Sequence, residues 1–157
     1  MSSAHQSFPQ GLEGHQQAPS LLRAATRELT EAAAGSACVI SRLIGEALVE
    51  LAEYAGSGRY LQLGHGYLLS DFPLTRESIE RREPRLVSLL DENPEPTEAR
   101  ILEELRFDSL LMIPLLSDGR TWGLVEIYRD RGCRFEPADV PPVERIVTRL
   151  GELLAEL

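Results

Sequence analysis

The sequence predicts an α+β domain built on a mainly antiparallel sheet, and three observations carry that prediction. Short β-rich runs meet at turn signals, Gly45-Glu46 and Ser117-Asp118-Gly119-Arg120, which join neighbouring strands as hairpins. Helical segments stand before, between and after those runs, in the order helix, hairpin, short strand, helix, strand, helix, hairpin, helix. The 157 residues, 43% apolar and 26% charged, suffice for one domain with a real core.

Each element has a local reason. Met1 to Pro19 is rich in Ser, Gln, His, Gly and Pro and carries only isolated apolar residues, Phe8 and Leu12, so it reads as a flexible tail ahead of a domain at 20–157. Ser20 reads as the N-cap of a helix over 20–34, with Leu22, Ala25, Leu29 and Ala32 as its apolar stripe and Gly35 as its stop. The runs Ala37–Ile44 and Ala47–Ala55 form the first hairpin, closed by Gly56-Ser57-Gly58. Tyr67-Leu68-Leu69 reads as a short strand before Ser70-Asp71-Phe72-Pro73. Thr75 is placed to cap a helix that Pro84 ends, with Leu74 and Ile79 at the spacing of a hydrophobic staple. Leu86–Leu90 reads as a strand, and Thr97 as the cap of a helix whose Ile101, Leu102 and Leu105 share a face. Ser109–Leu116 and Thr121–Arg129 form the strongest hairpin, in which Pro114 marks an edge or a bulge because its ring removes a ladder donor. Asp139 is placed to cap a closing helix over 139–157, whose first turn tolerates Pro141 and Pro142.

Charge and composition exclude several partners. Sixteen basic residues, all arginine, against 25 acidic ones give a formal net charge of −9 and a pI near 4.9. Nucleic-acid backbones and anionic membranes both require a positive surface, so neither is expected as a partner. No apolar run reaches the ~18–20 residues of a membrane span, and the first residues lack an apolar signal core. Two cysteines, Cys38 and Cys133, are too few for a disulfide framework and suit a reducing, cytoplasmic setting.

Few residues stand in catalytic patterns. His5, His15 and His65 and the two distant cysteines share no metal-ligand spacing, so no zinc site is expected. No serine sits in a nucleophile elbow. Gly56-Ser57-Gly58-Arg59-Tyr60-Leu61 begins like a dinucleotide loop but lacks the third glycine and precedes no helix. Asp91-Glu92 and Glu103-Glu104 diverge by ~100° in a helix and read as solvated. Cys38 reads as a small buried thiol beside Val39 and Ile40, and Cys133, between Arg131 and Arg134, as a loop thiol with a conceivable redox role.

Three features are more informative. Pro73 biases Phe72 toward extended geometry and so presents Asp71 and Phe72 in a defined direction, Asp71 acting either as a local cap or on a pocket rim. Alternation along Leu124–Tyr128 sets Val125 and Ile127 on one face and Leu124, Glu126 and Tyr128 on the other. Burying Glu126 is costly without a partner, so it faces solvent or a ligand, or pairs with an arginine such as Arg42. The closing helix carries Val143, Ile146, Leu150, Leu153 and Leu157, with Val140, Val147 and Leu154 widening the stripe enough to cover the sheet and also touch a second helix, within the chain or across a dimer.

From Ala37 onward the chain resembles the GAF family of small-molecule sensor domains, of PAS-like fold. The resemblance rests on Asp108-Ser109-Leu110-Leu111-Met112-Ile113-Pro114-Leu115, then Asp118-Gly119, then Gly123-Leu124-Val125-Glu126-Ile127-Tyr128, and on Phe135-Glu136-Pro137-Ala138-Asp139 before the last helix. Ala37–Ser41 and Arg85–Leu89 fit the family's earlier strands, so that about three quarters of the chain matches in order. The family implies an antiparallel sheet of about six strands with helices on both faces and a pocket between the sheet and the variable helices near Tyr67–Arg82 and Thr97–Leu105. It places Asp71, Phe72, Ser109, Glu126 and Tyr128 at or near that pocket. It also implies a regulatory domain that binds a small molecule and relays the change through dimeric terminal helices to an output domain. Ser70-Asp71-Phe72-Pro73 is similar to the phytochrome Asp-Ile-Pro element, yet no Cys-His pair follows to attach a bilin. The cyclic-nucleotide signature is missing, only His65 is available in the body for haem, and the cysteine set of the sulfoxide-reducing members is not reproduced, so the cofactor stays open. A ligand-free dimerisation module and a GAF-fold thiol redox enzyme are the alternatives, and the apolar helix ending at Leu157 reads as a truncation.

Overall fold

The computed structural model describes residues 12–56, 66–130 and 132–157. In chain order they form α1 (Ala18–Ala32), β1 (Ala37–Ile44), β2 (Ala47–Ala55), β3 (Tyr67–Leu68), α2 (Pro73–Arg81), β4 (Arg85–Ser88), α3 (Pro96–Leu105), β5 (Ser109–Ser117), β6 (Arg120–Arg129) and α4 (Val140–Ala155). Short 3-10 turns precede α2 at Leu69–Asp71 and α4 at Pro137–Asp139. The six strands make one sheet in the order β3-β2-β1-β6-β5-β4, every neighbouring pair antiparallel. This is the α+β class, the strand count and the hairpin connectivity that the sequence predicts.

The β5–β6 hairpin forms because Asp118 and Gly119 both take positive φ, 55° and 75°, as a tight turn between twisted strands requires. Pro114 pairs with Leu124 of β6, while β4 reaches only as far as Met112, so β5 is a local edge where the proline stands.

Helix boundaries differ from the expected ones for identifiable reasons. α1 begins at Ala18, and Ser20 Oγ donates to the Gln17 carbonyl instead of capping. Its end is a Schellman turn: Ala34, not Gly35, is left-handed (φ 49°), and the Gly35 amide donates to the Thr30 carbonyl at 2.8 Å. Arg82 and Arg106 close α2 and α3 in the same conformation. α2 starts at Pro73, which puts Thr75 inside the first turn, buried. Glu95, not Thr97, caps α3, its carboxylate accepting from the Glu98 amide at 2.9 Å. Glu136 and Asp139 form a reciprocal capping box ahead of α4.

Pleating divides the core in two. Cys38, Ile40, Leu111, Ile113, Val125 and Ile127 point to the face covered by α1 and α4. Val39, Leu110, Met112, Leu124 and Tyr128 point to the face covered by α2 and α3, where Ile79, Leu102 and Phe107 meet them. On the first face α4 lies almost on the backbone of β5: a Cβ at Gly151 would stand 1.8 Å from the Leu116 carbonyl oxygen, and Ser117 Oγ donates to the Gly151 carbonyl at 2.7 Å. The wide stripe of α4 is used within the chain, because Val143, Ile146, Val147 and Leu150 share one buried cluster with Leu21, Leu22, Ala25 and Leu29 of α1.

The expected tail over Met1–Pro19 lies outside the described residues as far as residue 11. Leu12 itself is 1% exposed within the α1/α4 cluster, and Glu13 is ion-paired with Arg149 of α4 at 3.0 Å. Composition gives an isolated leucine no partner; the groove between the two helices supplies one. Among the described residues no helix is long and apolar enough to cross a membrane.

Arg129, at the end of β6, fastens the two terminal helices. It donates to the Ala33 carbonyl at the end of α1 through Nε (3.2 Å) and Nη2 (2.7 Å). Nη1 donates to the Arg134 carbonyl at 3.1 Å and lies 3.4 Å from Asp139, ahead of α4, while the guanidinium stacks 4.1 Å above the Phe135 ring.

Candidate functional site

The face under α2 and α3 is not filled by apolar side chains alone. As alternation requires, Glu126 projects to this side between Leu124 and Tyr128. It is 5% exposed, and the Tyr67 hydroxyl of β3 donates to its Oε1 at 3.2 Å. Glu98, on the inner face of α3, receives the Thr75 hydroxyl of α2 at 2.7 Å. Glu50 of β2 is half-buried at the rim. These three acids surround a cavity of about 110 Å³, walled also by Val39, Ser41, Gly66, Ile101 and the aromatic residues Tyr67, Phe72 and Tyr128. Tyr67 and Phe72 meet edge to face at 4.6 Å, and Tyr128 stacks on Phe107 at 5.0 Å.

Burial and mutual repulsion set the protonation of this cluster. Loss of water, followed by the charge of Glu98 and, least, that of Glu50, pushes the Glu126 carboxyl up to about 8, with the Tyr67 hydrogen bond opposing. Burial and neighbouring Glu53 raise Glu50 to about 7. Glu98 is raised too, mainly by burial, with the Thr75 hydroxyl opposing. The Tyr67 and Tyr128 phenols are pushed well above their usual range by burial and then by Glu126.

Of the residues expected at the site, Phe72, Glu126 and Tyr128 line the cavity. Asp71 ends the 3-10 turn beside it, exposed, and is not part of the lining. Ser109 precedes Leu110 and so points, with Leu111, to the α1/α4 face, where its hydroxyl donates to the Cys133 carbonyl at 2.8 Å. The pairing of Glu126 with Arg42 does not occur: Arg42 is exposed, with its guanidinium 4.6 Å from the Trp122 ring. Sequence reasoning missed Glu50, Glu98 and Ser41. The signal for Glu98 was present, since it stands three and four residues before Ile101 and Leu102 and therefore shares their apolar face.

Cys38 is buried under α1 and α4, and burial, then Glu126, pushes its thiol well up, which disfavours the thiolate that redox chemistry requires. Cys133 is exposed, its Sγ 3.9 Å from Arg129 Nη1. Among the described residues no three His, Cys, Asp or Glu side chains are grouped so as to hold a metal ion. His65 and the Gly56–Leu61 loop beyond Gly56 lie outside the described residues.

Solved structures share this architecture. The chromophore-binding domain of Stigmatella aurantiaca bacteriophytochrome superposes with a TM-score of 0.72 at 21% identity, over 93% of this chain and 55% of that one. The phycocyanobilin-bound GAF domain of a cyanobacterial phytochrome gives 0.76 at 16% identity, over 88% and 84%. The PixJ GAF domain of Thermosynechococcus elongatus, in its blue-light absorbing form, gives 0.73 at 13%, also over 88% and 84%. The present chain thus spans about half the length of the Stigmatella protein it matches. A bilin, a long tetrapyrrole with two carboxylates, does not fit the residues here. The cavity is far below the ≈300–1,000 Å³ of ordinary ligand pockets, three acids line it, and among the described residues no cysteine does. Among curated proteins none matches the chain. The family model for the GAF domain matches residues 18–155, almost all of the described structure, and with the sheet order and cavity above, this chain belongs to the GAF domain family.

Proposed function

We propose that this domain is a sensory module of signal transduction that takes a small molecule into the cavity beneath α2 and α3 and relays its presence to an output domain. The observation that carries the reading is the cavity itself, a hollow lined by buried polar side chains within an otherwise close-packed core. An interior built for stability alone fills such space with apolar groups, because each buried polar group costs free energy unless it finds a partner. The relay runs through α1 and α4, which pack together on the opposite side of the sheet, and the proposal includes a homodimer through these helices in the cytoplasm.

Selective ligand binding must raise the melting temperature, so a thermal-shift screen of small metabolites tests the first part. A hit that Tyr128→Trp abolishes, with the fold intact by circular dichroism, supports it; a screen with no hit overturns it. Sedimentation at high micromolar concentration tests the second, and a monomer there removes the dimer. The modest volume of the cavity favours one other reading, a ligand-free dimerisation module. It predicts the reverse pair of results: no ligand shift and a stable dimer.

A further inference from the structure

The acids of this cavity carry a preference about charge. Glu50, Glu98 and Glu126 reach it from three different elements, β2, α3 and β6, and among the described residues no arginine or histidine lines it. A core assembled for stability pairs its buried carboxylates with cations or omits them. Among the described residues the side-chain partners of the two deepest acids are hydroxyl groups, Tyr67 on Glu126 and Thr75 on Glu98.

A second observation is independent of the acids. Tyr128 and Ser41 both line the cavity and are 2% and 1% exposed, and neither hydroxyl has a hydrogen-bond partner among the described residues. No fully sealed side-chain oxygen lacks a partner among the described residues, so these two hydroxyls keep a little accessible surface, and the cavity is the surface their residues line. Buried hydroxyls turned to a hollow wait for a group that hydrogen-bonds them.

The third element is aromatic. Tyr67, Phe72 and Tyr128 wall the same space, and aromatic faces attract a cation through their quadrupole while excluding water. Aromatic walls with carboxylates between them are the chemistry that recognises an organic ammonium ion. A bare metal ion is a poorer occupant, because among the described residues the acids are not grouped for coordination.

Resting on the sensory reading above, we infer that the occupant of this cavity is a small organic ammonium ion, held by Glu126, Glu98 and Glu50 and enclosed by Tyr67, Phe72 and Tyr128. Its charge supplies what the three acids lack, and its bulk stays within about 110 Å³, a handful of non-hydrogen atoms. Binding draws protons off the acids. Affinity therefore rises with pH through the range in which Glu50 and Glu126 ionise, about 7 to 8, and levels above it. The groups that face Glu126 in this titration are Glu50 of β2, Tyr67 of β3, Glu98 of α3 and Tyr128 of its own strand, with Cys38 of β1 behind the sheet and Glu53 and Glu95 acting on Glu50 and Glu98.

The experiment compares propylammonium and tetramethylammonium chlorides with propanol and sodium propionate at matched ionic strength and pH 8.5, by melting temperature and titration calorimetry. The expected result is a shift of about 5–10 °C at a hundred-fold excess over Kd with one or both ammonium ions and none with the other probes. Glu126→Gln keeps the shape and can keep the Tyr67 hydrogen bond, so it folds; its affinity for the bound ion falls about ten- to a hundred-fold. Glu103→Gln, exposed on the same helix as Glu98, retains full affinity and shows that net charge alone is not responsible. With tetramethylammonium, whose charge does not titrate, affinity rises between pH 6 and 8.5. Stabilisation by propanol or propionate instead overturns the ammonium assignment and leaves the sensory reading standing. Silence from all four probes overturns the assignment alone, while a wider metabolite screen without a hit overturns both. Equal loss in Glu103→Gln and Glu126→Gln, or no loss in either, also overturns it.

Discussion

The two faces of the sheet are built from the same six strands by the same alternation, yet they solve different problems. The α1/α4 face is closed: leucines and valines interlock, and α4 approaches so near that Gly151 has no room for a Cβ. The α2/α3 face holds three acids, two hydroxyls without a partner among the described residues, and a hollow. Free energy gained on the first face offsets what the second spends on buried polarity, and it is to the second that the proposed function assigns a ligand. Side chains one residue apart on β6, Ile127 and Tyr128, belong to these two regimes.

The comparison breaks most visibly at Gly151. Gly151→Ala drives a methyl group into the Leu116 carbonyl, so α4 must lift from β5, at a cost of about 4 kcal/mol or more in chemical denaturation. No substitution of similar size on the cavity face is expected to match it. Next in size is Glu126→Gln, with the opposite sign. The folded carboxyl titrates near 8 and the unfolded one near 4.5, so between those values the native state holds the extra proton and stability falls as pH rises. Glu126→Gln therefore melts close to wild type at pH 4.5 and is more stable by about 4 kcal/mol at pH 8.5, as paired thermal melts will show. Thr75→Ala removes the hydroxyl that Glu98 accepts and costs about 1–3 kcal/mol, read by urea titration. The smallest effect returns to the closed face: Ala34→Gly relieves a left-handed alanine at the end of α1 and raises stability by about 1 kcal/mol, measured the same way.

Periodicity made the strands, the hairpin at Asp118-Gly119 and the side on which Glu126 and Tyr128 project legible, because a period of two leaves no choice once one residue is known to be inside. The same rule, applied to Ser109 beside Leu110, already puts its hydroxyl under the other helices. What stayed hidden is what one chain segment cannot see of another. Ala34, Arg82 and Arg106 end their helices in a conformation normally signalled by glycine, and there the amides of Gly35, Glu83 and Phe107 close the turns on the carbonyls of Thr30, Ser78 and Leu102. Glu50 and Glu98 look like ordinary surface acids until β3, α2 and α3 fold over them. Leu12 looked stranded until the groove between α1 and α4 was formed.

Arg129 follows Tyr128 directly, so the residue that walls the cavity and the residue that fastens both terminal helices are joined by a single peptide bond. A strand is stiff along its length. On the proposed relay, a slide of β6 imposed at Tyr128 would arrive one step later at the guanidinium, which is bonded to the last turn of the first helix and to the capping turn of the final one together. In that proposal the rivet that keeps the two helices together is also a lever on which the hollow can pull.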